Sequence, residues 1–281
     1  MKKVAVIGAG AMGNGIAQVC AMNGYQVSLI DITEDYLKNG MRTVESSLSR
    51  MRKKDKISED RMKEILEKIN PTLDFDSVKD VDIVIEAVPE KLELKTDIFT
   101  KLDKLCAEDT ILGSNTSSVP ITAIAAATER PEMVVGIHFM NPVPVMKGVE
   151  IITGYKTSEQ TLEKALKFIE SIGKIAGVVP DLPGFVGTRL LNVYLNEAVK
   201  CVMSGVKPED VDKLMVHCCN MPVGPLKLID MIGLDIHLNV QELLADELGD
   251  GYRVALLTKQ MVRGGMLGVK SGKGFYDYEK K

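Results

Sequence analysis

The 281-residue sequence predicts an α/β domain built on a doubly wound parallel sheet, followed by an all-α domain. Three observations predict this fold class. A short apolar run breaks directly into a glycine cluster, and apolar segments of strand length then alternate with helical segments as far as residue 179. Beyond Pro180 the apolar residues follow helical spacing. We therefore expect one domain over residues 1–180 and a second over 184–281.

The first predicted strand, 4–7, leads into Gly8, Gly10 and Gly13, which satisfy the pattern G-x-G-x-x-G. In this pattern the first glycine permits a tight turn, the second lets a diphosphate approach the backbone, and the third allows close helix packing. A plain strand-to-helix turn would also match. The strand before the motif and the helix expected over 11–23 favour a Rossmann-type dinucleotide site, with the diphosphate at the positive end of that helix.

The second predicted strand, 26–30, stops at Asp31. A carboxylate at this position accepts hydrogen bonds from both hydroxyls of an adenosine ribose. No arginine occurs among the next three residues, so a 2′-phosphate would meet a like charge. The predicted cofactor is therefore NAD rather than NADP.

The composition excludes several classes of protein. A hydrophobic content of 45% with 26% charged residues is typical of a globular protein, and the net charge of −4 argues against a general nucleic-acid binder. The five cysteines include no C-x-x-C pair and there are only three histidines, so we expect neither disulfides nor a metal site. The first apolar run is too short for a signal peptide, and no segment is long enough to span a membrane. A cytoplasmic location is expected.

A long helical hairpin is predicted after Asp31, with helices over 34–54 and 58–69, Ser58 as an N-cap and Pro71 as the stop. Its tip, 50–56, contains five cations in seven residues. Such a run is often a solvated charged corner, but its positive potential also suits a phosphate-bearing ligand.

A central strand is predicted over 81–88, followed by a helix over 92–106 and a strand over 110–114. The last strand breaks into Asn115 and Ser117, at the sheet edge where ligands bind in doubly wound folds. These two residues are candidates for the chemistry. Alternatively, one of them caps a helix over 120–127.

The next two predicted strands, 133–139 and 149–153, carry His138 and Glu150. A lone histidine is often only structural. If the two strands pair antiparallel, however, His138 and Glu150 become neighbours, as a base and its orienting carboxylate. A helix over 159–172 and a strand over 174–179 complete the first domain.

The second domain is predicted to be helical, and domains of this kind often bury an apolar face in a dimer. Its helices are expected over 185–203, 207–219, 226–231, 234–248 and 253–263. The glycine-rich tail is expected to form a packed closing turn, because no helix follows it.

Over its full length the chain resembles the L-3-hydroxyacyl-coenzyme A dehydrogenase family. The resemblance is carried by ordered motifs, namely VAVIGAGAMGNGIA, DIVIEAVPE, ILGSNTSS, GIHFMNPVPVMK, PGFVGTRLLNVYLNEA, GPLKLIDMIGLD and KSGKGFYDY. It implies an NAD-binding first domain, a helical second domain that forms a homodimer, and an acyl thioester of coenzyme A bound in a cleft between the domains. The net charge and the lack of a long apolar segment, noted above, argue against a nucleic-acid or membrane partner.

The resemblance also implies roles for single residues. His138 would be the general base, Glu150 its partner, and Ser117 a contact of the substrate hydroxyl, with Asn141 as a further substrate contact. Arg50 and Lys54, at the hairpin tip, would meet the phosphates of coenzyme A. The NAD-binding residues implied by the match are Gly8, Gly10, Ala11, Met12, Gly13, Asp31, Glu90, Lys95 and Asn115.

Three positions depart from the family pattern. Thr188 stands where an asparagine normally polarises the substrate, Gly148 replaces a larger apolar residue, and Gly187 replaces a valine. Threonine keeps one hydroxyl donor but loses the reach of the amide, and we retain Thr188 as a catalytic candidate. If these positions face one pocket, the acyl group differs from plain acetoacetyl; simple drift with repacking is the alternative. A related dehydrogenase of a substrate without coenzyme A and a non-catalytic NAD-binding protein are the rival functions.

Overall fold

The structure, a computed structural model, describes residues 1–278. The chain divides into two compact units, Met1–Leu182 and Pro183–Lys281. The N-terminal unit is built on one eight-stranded sheet with strand order β3-β2-β1-β4-β5-β6-β7-β8. The strands are β1 (Lys3–Ile7), β2 (Gln26–Ile30), β3 (Ile69–Thr72), β4 (Ile83–Glu86), β5 (Ile111–Ser114), β6 (Val134–Phe139), β7 (Gly148–Thr153) and β8 (Ile175–Pro180).

All neighbouring strands run parallel except β6 and β7, which are antiparallel. The central strands β4, β5 and β6 are buried along their whole length, because helices cover both faces of a parallel sheet. This explains their continuous apolar runs. The α/β class of the first domain is confirmed.

Helices occupy the connections between the strands. In the N-terminal unit they are α1 (Ala11–Met22), α2 (Glu34–Arg52), α3 (Glu59–Glu67), α4 (Leu92–Leu105), α5 (Ile121–Ala125) and α6 (Glu159–Ser171). The predicted cap of α3 is confirmed, since the Ser58 hydroxyl accepts a hydrogen bond from the Arg61 N–H at 3.1 Å.

The predicted end of the second hairpin helix was wrong. Helix α3 stops at Glu67, and Ile69 begins β3 instead of closing the helix. Pro71 lies within this strand and does not act as a helix stop. An edge strand tolerates proline because one side of it needs no ladder hydrogen bond, and β3 has β2 as its only neighbour in the sheet among residues 1–278.

The C-terminal unit is helical, as expected. Its helices are α7 (Gly187–Met203), α8 (Pro208–Cys218), α9 (Pro225–Ile232), α10 (Leu234–Leu248) and α11 (Leu256–Arg263). The tail closes on Asp230, whose two carboxylate oxygens accept the N–H groups of Phe275 and Tyr276, both at 2.9 Å. A Cβ at Gly274 would lie 2.0 Å from the Asp230 carboxylate, so only glycine fits there. Among residues 1–278, no helix combines the length and apolarity that a membrane span requires.

Candidate active site

The glycine motif joins β1 to α1, and its three glycines have different surroundings. Gly8 has φ +98°, and a Cβ there would lie 2.7 Å from the Ala87 carbonyl oxygen. A Cβ at Gly13 would lie 1.7 Å from the Gly8 carbonyl oxygen, which is impossible without moving the turn. At Gly10, by contrast, a Cβ would meet no atom within 4 Å. Two glycines are therefore required by packing, and the third faces open space.

The open space lies at the start of α1. This helix has no side-chain cap at Gly10 and no acid in its first turn, which contains Ala11 and Met12. No acid within the first turn therefore balances the partial positive charge at the amino end of the helix. These features fit the diphosphate of a dinucleotide.

Asp31 is bound to the glycine turn. One carboxylate oxygen accepts the N–H of Ala9 at 2.6 Å, and the other accepts the N–H of Ile32 at 2.7 Å. The carboxylate is thereby fixed at the carboxyl end of β2, where an adenosine ribose would lie.

His138 is held between two side chains at the carboxyl end of β6. The antiparallel register pairs it directly with Glu150 of β7, and its Nδ1 lies 2.8 Å from the Glu150 Oε2. Its Nε2 lies 3.0 Å from the Ser117 Oγ, and both His138 and Glu150 are buried. The predicted pairing of the two strands is confirmed. Because a carboxylate only accepts, Nδ1 carries the proton, and Nε2 is the basic nitrogen of the neutral ring.

The helix-cap alternative for Asn115 and Ser117 is wrong. The Asn115 Oδ1 accepts the N–H of Phe139 at 2.9 Å and so ties the end of β5 to the end of β6. The first N–H groups of α5 are accepted instead by Asp181, at 3.0 Å for Ile121 and 2.7 Å for Thr122. Neither Asn115 nor Ser117 is therefore used to cap α5.

Lys95 lies below this loop and is fully buried. Its Nζ is 2.8 Å from the Glu86 Oε1 and 3.2 Å from the Glu90 Oε2. Glu86 is also fully buried, and its second oxygen accepts the Ser114 hydroxyl at 2.6 Å. Because strong ionic contacts inside the protein engage Lys95, the structure gives it a role in supporting the loop. Sequence reasoning missed this role, since the burial of a lysine on a polar helix has no local signal.

Glu90 connects Lys95 to the loop. The Glu90 side chain is 36% exposed, and its partial burial alone would raise the pKa of its carboxyl. The Lys95 ammonium and the hydrogen bonds from the loop outweigh this effect and hold the pKa below its usual value. Glu90 is therefore an anion at neutral pH.

The remaining predicted site residues lie elsewhere. Arg50 and Lys54 are exposed at the tip of the α2–α3 hairpin, and Asn141 is exposed in the loop that joins β6 to β7. Gly148 begins β7, two residues before Glu150. Thr188 lies in the first turn of α7 in the C-terminal unit, where its carbonyl oxygen accepts the Asn192 amide at 2.9 Å.

The fold and the site together define the class of the protein. A dinucleotide turn and a basic histidine, both at the carboxyl edge of one sheet, provide what the oxidation of an alcohol by hydride transfer requires. The protein is an NAD-dependent oxidoreductase. Residues 3–182 match the family model for the NAD-binding domain of 3-hydroxyacyl-CoA dehydrogenase, and residues 184–278 match the model for its C-terminal domain. The chain belongs to the 3-hydroxyacyl-CoA dehydrogenase family.

Individual relatives agree with this assignment. A probable 3-hydroxybutyryl-CoA dehydrogenase of Bacillus subtilis is 46% identical over 283 residues, which cover 100% of this chain and 99% of that protein. A 3-hydroxybutyryl-CoA dehydrogenase of Clostridioides difficile is 42% identical, with 99% and 100% covered. The crystal structure of (S)-3-hydroxybutyryl-CoA dehydrogenase from Ralstonia eutropha superposes with a TM-score of 0.96 at 44% identity, covering 100% of both chains.

Proposed function

We propose that this protein interconverts (S)-3-hydroxyacyl-CoA and 3-oxoacyl-CoA thioesters of the 3-hydroxybutyryl-CoA type. The observation that carries the proposal is the buried His138, whose Nδ1 is engaged by Glu150 and whose Nε2 contacts Ser117. The 3-hydroxyacyl-CoA dehydrogenase models matched by both units, and the names of the relatives, support this substrate class.

The chemistry follows from the two ring nitrogens of His138. The Glu150 carboxylate accepts a hydrogen bond from the Nδ1–H, which fixes the tautomer and stabilises the imidazolium that forms when Nε2 takes the proton of the 3-hydroxyl. The Ser117 hydroxyl, next to Nε2, is placed to hydrogen-bond the same substrate oxygen. Bound NAD supplies the acceptor for the hydride that leaves C3. In the reductive direction, Nε2 returns the proton to the oxygen.

The direct test is NADH oxidation with acetoacetyl-CoA, followed by absorbance. We expect turnover with NADH, much less with NADPH because of Asp31, and little with free acetoacetate. Turnover of the free acid but not of the thioester would favour the rival class that lacks coenzyme A. No turnover with any 3-oxo substrate would favour a non-catalytic protein.

Within this class of thioesters, we further infer that the acyl group the protein prefers is larger than acetoacetyl. Gly148 lies on the same sheet face as Glu150, because side chains alternate along a strand, and Gly177 of β8 is the register partner of Glu150. A Cβ at either glycine would meet no atom within 4 Å. The sheet face next to the Glu150 carboxylate therefore has space at two adjacent positions, which supports a bulkier acyl chain.

Filling this space tests the inference. Gly148→Leu and Gly177→Val should lower kcat/KM for 3-oxooctanoyl-CoA by roughly tenfold or more relative to acetoacetyl-CoA, since small changes in a hydrophobic pocket are worth that much. Gly251→Val is the matched control, because Gly251 is an exposed glycine of the C-terminal unit that also has open space at its Cβ. A clear preference of the unmodified protein for acetoacetyl-CoA would contradict the inference.

We also propose that the protein works in the cytoplasm as a homodimer formed through its C-terminal helical unit. Large apolar side chains exposed on that unit support the dimer: Leu190, Leu214, Met231, Ile236 and Leu256. Sedimentation velocity should give the mass of two chains, and Met231→Asp should shift the protein toward a single chain. A monomer at micromolar concentration would contradict the proposal.

A further inference from the structure

One carboxylate oxygen of Glu90 organises the loop after β5. The Oε1 atom accepts the Thr116 hydroxyl at 2.6 Å, the Ser117 N–H at 2.8 Å and the Ser118 N–H at 2.7 Å. It also accepts the Ser118 hydroxyl at 2.9 Å. With the Val119 N–H at 3.4 Å, five donors from four consecutive residues converge on this single atom. The backbone of the loop is fixed by a side chain that comes from a different connection of the sheet.

The second oxygen of Glu90 faces a cation. The Lys95 Nζ lies 3.2 Å from Oε2, and this ammonium is held from the other side by the buried Glu86. Lys95 therefore sets the direction of the Glu90 carboxylate, so that Oε1 points at the loop. Glu86 balances the charge of Lys95, because an unpaired ammonium would be costly at this depth.

The loop that Glu90 fixes carries Ser117, whose Oγ lies 3.0 Å from the His138 Nε2. We propose that Glu90, oriented by Lys95, is a positioning residue that places the Ser117 hydroxyl next to the basic nitrogen of His138. This inference rests on the proposed function and gives Glu90 and Lys95 a positioning role in addition to the NAD contact that the family resemblance implies for them. It predicts that loss of the negative charge on Glu90 lowers turnover because the Ser117 hydroxyl is displaced.

Glu90→Gln is the informative variant. A carboxamide has one acceptor end and one donor end. In one orientation its NH2 group faces the loop donors, and in the other its NH2 group faces the Lys95 ammonium. We expect kcat with acetoacetyl-CoA to fall roughly tenfold or more, because the reacting groups are displaced. We measure kcat at saturating NADH, so that any weaker binding of the cofactor does not enter the value.

A double-mutant cycle with Ser117→Ala separates the possible causes. If Glu90 acts through Ser117, adding Glu90→Gln to Ser117→Ala should lower kcat by less than about threefold further. Additive effects in the cycle would overturn the proposal. Glu93→Gln is the matched control, because Glu93 is an exposed acid in the first turn of α4.

A readout without turnover keeps this inference separate from the proposed function. The N–H groups of Ser117 and Ser118 should exchange with solvent deuterium faster in Glu90→Gln than in the unmodified protein or in Glu93→Gln. Should Glu90→Gln fail to fold, Glu90→Asp keeps the charge but shortens the reach, and it should raise the same two exchange rates. Unchanged exchange in the folded variant would overturn the proposal even if the enzyme is active on thioesters.

Discussion

At the scale of single residues, the proposed proton transfer depends on one atom, the Nε2 of His138. His138→Gln keeps the approximate shape of the side chain but removes the base, so kcat should fall by roughly two to four orders of magnitude. The KM for NADH should stay close to its original value. Steady-state kinetics with acetoacetyl-CoA measures both.

His217→Gln is the control for this substitution, because His217 is an exposed histidine in the last turn of α8. It should leave kcat unchanged. Near-normal turnover of His138→Gln would remove His138 from the mechanism, whatever the control shows.

The sequence alone indicated some of these residues and not others. Ser117, His138 and Glu150 were found because each lies at a predicted strand end, where strand pairing determines which residues meet. Lys95 and Glu86 form their pair only after helix α4 packs on the sheet, and a lysine in a polar helix reads as exposed until that packing is known. Tertiary burial of a charge has no periodic signal in the sequence.

At the scale of elements, the α2–α3 hairpin presents a basic tip. Arg50 and Lys54 are exposed there, so they are available to the phosphates of a coenzyme A thioester. The double variant Arg50→Ala with Lys54→Ala should raise the KM for acetoacetyl-CoA roughly tenfold at low salt and leave the KM for NADH nearly unchanged. Initial rates with each substrate varied in turn provide the test.

The control for the hairpin prediction removes two cations from the same helices outside the tip. Arg42→Ala with Lys63→Ala carries the same change in net charge, and both residues are exposed. It should leave both KM values unchanged. An equal rise in both constants for the tip variant would instead favour a substrate without coenzyme A.

Most elements were predicted to within one or two residues because apolar periodicity changes clearly between strands and helices. Strand β3 was missed: only Ile69 of its four residues is fully buried, and its proline normally indicates an interruption. The side chain that accepts the first N–H groups of α5, Asp181, was also missed, because it follows that helix by some sixty residues in the chain. Both errors arise from long-range pairing, which local patterns do not contain.

At the scale of the whole molecule, stability should depend on pH through a buried histidine of the C-terminal unit. The His237 Nδ1 lies 2.8 Å from the Asn192 Oδ1, and burial lowers the pKa of His237 to about 4. Below pH 6.5 the unfolded chain binds a proton here that the folded chain does not. The free energy of unfolding should therefore fall by up to about 3 kcal/mol between pH 6.5 and pH 4 from this group.

Urea unfolding of the full chain at several pH values measures this effect. His237→Gln keeps a donor for Asn192 but does not titrate, so its stability should fall less steeply with decreasing pH. His217→Gln, at an exposed site, should follow the pH dependence of the unmodified protein. Identical slopes for His237→Gln and the unmodified protein would contradict the prediction.

The hydrogen bond between Asp31 and the Ala9 N–H has a consequence for changing the cofactor. The acid that selects against a 2′-phosphate also supplies the acceptor for a backbone donor within the glycine turn. Replacing Asp31 by a residue without a side-chain acceptor to admit NADP would leave that donor without its partner. The choice of cofactor and the order of the glycine turn are therefore coupled. A redesign for NADP must therefore provide a new acceptor for Ala9 as well as a cation for the added phosphate.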